Sequence, residues 1–171
     1  MEQLITVEQL AKTGRPIGKV DEAKLKAYIN ETEQLHIKPA LGDSLYLDLL
    51  KIGEERADYA LLLNGGTYEA GIDDTRSFMG LREAIAYFVY AQNVMSGDFQ
   101  STRYGIRIKD DDYSSHISSK ERSDHYSNTM EVANQYLNEC ITYCKTKGLI
   151  GNRKKHRGIS TGGCTIRKIG K

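Results

Sequence analysis

Apolar positions recur along this chain mostly at helical spacing, and they sort it into a series of amphipathic helices. Leu25, Tyr28, Ile29, Thr32 and Leu35 share one face of a helix that begins at Asp21. There a carboxylate caps free N–H groups, Glu22 favours the positive end and Val20 staples onto Leu25. Pro39 ends or kinks this helix, because the residue before a proline is driven out of the helical region. A short helix follows Asp43, with Leu45, Leu49 and Ile52 on its face and Gly53 as its stop. Another runs from about Glu54 to Asn64, where Asn64-Gly65-Gly66 is a left-handed cap signal. Thr67 to Asp74 reads as a loop. It leads to the most apolar helix, which carries Phe78, Leu81, Ile85, Phe88, Val89 and Met95 and ends at Gly97. Greasy on most sides, it is the expected central helix.

Residues 99–117 break the helical rhythm. Arg103 to Lys109 alternates loosely, with Tyr104, Ile106 and Ile108 on one side and Arg103, Arg107 and Lys109 on the other. That is the period of a strand or hairpin. Ser118 and Glu121 then form a capping box for a last helix, whose buried face is Tyr126, Thr129, Ala133, Leu137, Cys140 and Cys144. Gly148 or Gly151 releases the chain into a tail of Gly, Ser, Thr and basic residues. Residues 1–19 have no sustained period and read as an arm. The expected architecture is mainly α: a small helical bundle with an extended β-like arm and non-helical N- and C-terminal tails. Its organisation is an arm (1–19), a helical domain (20–149) with a projecting segment (99–117), and a basic tail (150–171).

Composition adds a thin core. Leu, Ile, Val and Phe make up about 22% of the chain, barely above the level at which chains cease to fold. The longest apolar run, Ala84 to Ala91, is far short of a membrane span. Three Cys, an odd number, argue against a disulfide framework and fit synthesis in a reducing cytoplasm. Charge is the most informative asymmetry. The chain carries a formal +1, yet from Lys145 onward there are nine basic residues and no acid. The preceding part, with fifteen basic and twenty-three acidic residues, carries −8. An acidic body with a basic end plugs into something acidic or reaches polyanion with that end alone.

Candidate chemistry is sparse. Cys140 and Cys144, with His156 and Cys164, make a zinc site conceivable, but both helical Cys fall on the apolar stripe, where free Cys packs as a small hydrophobe. A Cys–His nucleophilic pair has no local signature. Gly14 to Lys19 is no phosphate loop, since only three residues separate its glycines and Val20 follows the Lys. Asp110 to Asp112 is no calcium loop, since Ser115 stands at the required glycine. Neither a cofactor nor catalysis is expected.

Larger segments carry a resemblance. Glu31-Thr32-Glu33-Gln34-Leu35-His36-Ile37-Lys38-Pro39-Ala40-Leu41-Gly42 is followed by Leu61-Leu62-Leu63-Asn64-Gly65-Gly66-Thr67-Tyr68 and then by Gly80-Leu81 through Ala86-Tyr87-Phe88-Val89-Tyr90-Ala91. Ser96-Gly97-Asp98, Thr102-Arg103-Tyr104-Gly105 and Tyr113 come after them. Over residues 20–149 this pattern resembles the head-tail connector proteins of tailed bacteriophages, especially of phages infecting Bacteroides-like hosts, the crAss-like group included. The resemblance implies a structural virion protein at the head-tail junction. It implies a ring, usually a dodecamer, beneath the portal protein, joining capsid to tail and extending the channel for genomic double-stranded DNA. An acidic channel wall would repel phosphates and let DNA slide. On this view Arg103, Tyr104, Ile106, Arg107 and Ile108 form an oligomer interface. Arg153, Lys154, Lys155, Arg157, Ile159, Ile166, Arg167, Lys168 and Ile169 dock on an adjacent connector, tail or portal protein; no membrane is involved. The alternative is a DNA-binding or packaging accessory protein whose basic tail contacts phosphate directly.

Overall fold

In the computed structural model, residues 3–14, 17, 20–96 and 118–150 are described, together with the backbone of 99–102 and 105–108. The fold is mainly α. In chain order it comprises α1 (Val7–Leu10), α2 (Glu22–Thr32), a π-helical stretch (Glu33–Ile37), α3 (Lys38–Leu41), α4 (Asp43–Ile52) and α5 (Ala57–Asn64). The hairpin β1 (Gly66–Gly71) and β2 (Asp74–Phe78) precedes α6 (Leu81–Ser96); β3 (Phe99–Thr102), β4 (Gly105–Ile108) and α7 (Ser119–Thr146) complete the chain.

The long helices α6 and α7 pack along each other and form the spine. Leu81, Ala84, Ile85, Ala86, Phe88, Val89 and Ala91 of α6 are all buried, as expected of a central helix. Phe88 stacks on the His36 ring, centroids 4.4 Å apart, and Tyr87 meets Tyr136 of α7 edge-on at 5.2 Å. The capping box at Ser118 and Glu121 starts α7, with both reciprocal hydrogen bonds in place. Its buried face includes Tyr143 in addition to the expected residues, whereas Tyr126 is half-buried. Gly148, at φ +67°, ends the helix. The Leu149 N–H donates to Cys144 O and the Gly148 N–H to Lys145 O, the paired bonds of a Schellman motif.

Two segments depart from their expected form at the N-terminal end. Residues 1–19 were expected to be an arm, but Leu4, Ile5 and Leu10 are buried in the core. Leu4 and Ile5 are held there by Glu33, whose carboxylate accepts the Leu4 N–H and the Tyr46 hydroxyl, each at 2.8 Å. Leu35 was expected on the buried face of α2 and is instead 66% exposed. The reason is the π-turn. Between Glu33 and Ile37 the wide turn bonds the Lys38 N–H to Glu33 O, and this extra residue rotates Glu33 and Ile37 inward in place of Leu35. Pro39 cannot donate to the Leu35 carbonyl and would crowd it in a regular turn, so the wide turn accommodates the ring and the helix runs on to Leu41.

The stretch expected to be a loop, Thr67 to Asp74, belongs to the β1–β2 hairpin, and Phe78 lies on β2 rather than on the central helix. Tyr68 pairs with Arg76 across the hairpin, so Tyr68, Arg76 and Phe78 share one face. The base of the hairpin is closed by glycine against glycine. A Cβ on Gly80 would sit 2.4 Å from Gly65 N, and one on Gly65 would sit 2.4 Å from the Met79 carbonyl carbon. No side chain fits between these backbones.

Burial raises the Glu33 carboxyl above its ordinary range, against the lowering effect of its hydrogen bonds to Tyr46, Leu4 and Ile5. A carboxyl raised in the folded state contributes stability below its unfolded pKa and loses it as pH rises through the folded value. Thermal melts of wild type should therefore fall from pH 4 upward through the range just above an ordinary Glu. In Glu33→Gln, which keeps an acceptor for the Leu4 N–H, that component of the fall should vanish. Parallel pH profiles for the two proteins would refute the assignment.

Candidate functional site

The residues singled out by sequence are only partly placed. Arg153, Lys154, Lys155, Arg157, Ile159, Ile166, Arg167, Lys168 and Ile169 lie outside the described residues, as do Arg103 and Tyr104. Ile106, Arg107 and Ile108 are on β4, opposite Ser101, Gln100 and Phe99 of β3. Among the described residues β3 and β4 pair only with each other. This hairpin falls between the two spine helices in sequence, after Ser96 of α6 and before Ser119 of α7.

The cysteines belong to the core. Cys140 and Cys144 are fully buried on α7, and desolvation pushes both thiols up, that of Cys144 to about 12. His125 shares α7 with Cys144 at a separation of nineteen residues, about 28 Å along the axis, so the two do not form a nucleophile–base pair. His125 Nε2 instead lies 3.2 Å from the Tyr90 hydroxyl. Among the described residues no group of three or more His, Cys, Asp or Glu is placed to hold a metal ion, and no helix is long and apolar enough to cross a membrane.

One concavity among the described residues was not anticipated from sequence. It is a shallow groove of about 740 Å³ between the β1–β2 hairpin and α7. Tyr68 and Phe78 form its floor, wedged against Tyr143 with ring centroids 4.9 Å away in each case. The Tyr143 hydroxyl donates to Asp58 O at 3.1 Å, which fixes the ring, and burial pushes its pKa up to about 12. On the helix side the wall is polar, with Glu131, Asn134, Asn138 and Glu139. Opposite stands Arg76, whose guanidinium is held by Asp74 through Nε at 3.0 Å and Nη2 at 2.7 Å. Such a surface offers hydrogen-bonding amides, carboxylates and an aromatic base, and no nucleophile paired with a base. Its signal in the sequence is the pair Tyr68 and Phe78, two aromatics bracketing a stretch that is mostly polar.

Apolar side chains also stand out from the surface. Ile72, at the tip of the β1–β2 hairpin, is 98% exposed, and Leu47 and Met79 are about half exposed.

A family model matches residues 37–148, about two thirds of the chain, and is described as a family of unknown function, DUF6712. The chain belongs to DUF6712. No curated protein and no solved structure matches it. The DUF6712 region starts at the last residue of the π-turn and ends at the Schellman glycine, Gly148. Both hairpins and the groove therefore lie inside it, while Leu4, Glu33 and the basic C-terminal segment lie outside.

With both thiols buried and pushed up, Cys140 and Cys144 should resist iodoacetamide at pH 8 in the folded protein and react only on denaturation. Peptide mass mapping reads this directly. Rapid alkylation of either residue with the helical spectrum intact would show that α7 leaves the core easily.

Proposed function

We propose that this DUF6712 chain is a structural virion protein that forms a ring beneath the portal of a tailed bacteriophage. There it joins capsid to tail and extends the DNA channel. The resemblance to head-tail connectors suggests this role, and the β3–β4 hairpin is the structural observation that carries it. A two-stranded hairpin has two outer edges with unpaired N–H and C=O groups, and such edges recruit another chain. Here it falls in sequence between the two helices that form the spine, so the chain it would recruit is tied to both of them.

Charge supports the same role. The part of the chain before Lys145 carries −8, which suits a channel wall that must not retain DNA. The basic segment beyond it then serves as a tether to an adjacent connector, tail or portal protein. The protein would assemble at the head-tail junction of virions after synthesis in the bacterial cytoplasm, with ring order most simply twelve.

Phage carrying this chain truncated after Gly151 should package DNA yet yield particles without tails, while the purified truncated protein keeps its helical circular dichroism. Particles of normal infectivity would sink the tether. Loss of DNA binding alone, with tails attached, would transfer the case to a DNA-binding packaging accessory.

A further inference from the structure

The groove beside α7 combines three kinds of group that together specify one kind of ligand. Asn138 presents a side-chain amide with one acceptor and two donors, and Asn134, whose Nδ2 already donates to Met130 O at 2.7 Å, adds an acceptor and its second N–H, the complement of a peptide backbone. Tyr68 and Phe78, each less than a tenth exposed, give an aromatic floor for one apolar side chain. Glu131 and Glu139 supply negative charge, and neither is engaged in an ion pair among the described residues. The cation in the wall, Arg76, is already neutralised by Asp74. A short extended peptide with one apolar residue between two cations satisfies all three.

Spacing narrows the choice. Glu131 and Glu139 are eight residues apart on one helix, about 12 Å along its axis. Two residues four apart in an extended chain are separated by about 13 Å and face the same side, as does the residue midway between them. The basic end of this chain contains that pattern once with an apolar centre: Arg167, Ile169 and Lys171. The other candidate, Arg153, Lys155 and Arg157, would set a cation at the centre, where the floor is aromatic and buried.

We propose that the groove receives residues Arg167–Lys171 of its own chain, with Ile169 over Tyr68 and Phe78 and the two flanking cations facing Glu131 and Glu139. Reach permits this. Groove residues 131–142 lie four to fifteen residues before the end of α7, about 6–22 Å back along the helix. Sixteen residues separate Ile150 from Arg167 and can span about 50 Å. A segment tethered within reach is presented at an effective concentration on the order of millimolar, which a separate copy in dilute solution does not match. The interaction needs no ring and describes the unassembled chain; in a connector the partner protein would displace Arg167–Lys171 from the groove before the segment serves as a tether.

The test is disulfide trapping in the full-length chain carrying Cys164→Ser, Ile169→Cys and Asn138→Cys, with Ser44→Cys replacing Asn138→Cys as a remote control. Positions 138 and 44 are both exposed, so neither substitution touches the core, and the native thiols at 140 and 144 are buried. Gln135→Cys, on the same wall, supplies a second groove thiol. The groove thiols should couple to position 169 at least ten-fold faster than the control, giving a monomeric product at a rate independent of protein concentration. Adding Glu131→Gln with Glu139→Gln should slow the coupling several-fold. Equal rates for groove and control, or indifference to loss of the two charges, would overturn the proposal. A product that is only covalent dimer would overturn it too, by assigning the groove to a neighbouring copy.

Discussion

A single buried carboxylate decides how the N-terminal third of this protein folds. Glu33, the first residue of the π-turn, continues the buried face on which α2 carries Leu25 and Ile29, where an acid is costly unless its oxygens are filled. They are filled by the Leu4 N–H and the Tyr46 hydroxyl, which come from opposite directions in sequence. The first draws Leu4 and Ile5 into the core; the second fixes α4 against the π-turn. That turn in turn exists because Pro39 follows, and it is the turn that aims Glu33 inward. One ionisable group thus couples a proline, a wide helical turn and the burial of the chain's first apolar residues. The His36 ring, laid flat on Phe88 one turn later, joins this assembly to the α6–α7 spine.

What could be read in advance is what local chemistry dictates. The cap at Asp21, the capping box at Ser118 and Glu121, the stop at Gly53 and the apolar stripe of α6 each depend on residues within one or two turns. All four stand in the structure. The departures have nonlocal causes. Leu4 and Ile5 carry no period, and the group that buries them lies 29 residues away. The acid on an apolar face was the available signal. The β1–β2 hairpin was hidden because Thr67, Glu69, Thr75 and Ser77 are polar or small and only Tyr68 and Phe78 mark its inner face. Its closure depends on Gly65 meeting Gly80, a backbone contact that no window of sequence reveals. With the hairpin unseen, the groove it builds with α7 was unseen as well. The residues expected to make contacts between chains, by contrast, stand mainly outside the described residues or on β4.

The functional picture rests on a division of labour between a rigid spine and the segments attached to it. α6 and α7 pack along each other, with Tyr87 edge-on to Tyr136, and the β3–β4 hairpin lies between them in sequence. The β1–β2 hairpin is pinned at its base by two glycines and carries an exposed Ile72 at its tip. Acidic charge belongs to the body and basic charge to the C-terminal end. The proposed connector role would draw on this combination: hairpin edges to join like copies, a helical frame, and an acidic wall that repels phosphate.

The proposed ring would show as rotational symmetry in electron micrographs of the purified protein. Closed rings with an open centre are expected and, in the same sample, a mass near twelve times the 19.2 kDa chain. Monomers at every concentration, or open filaments without a closed symmetry, would contradict it.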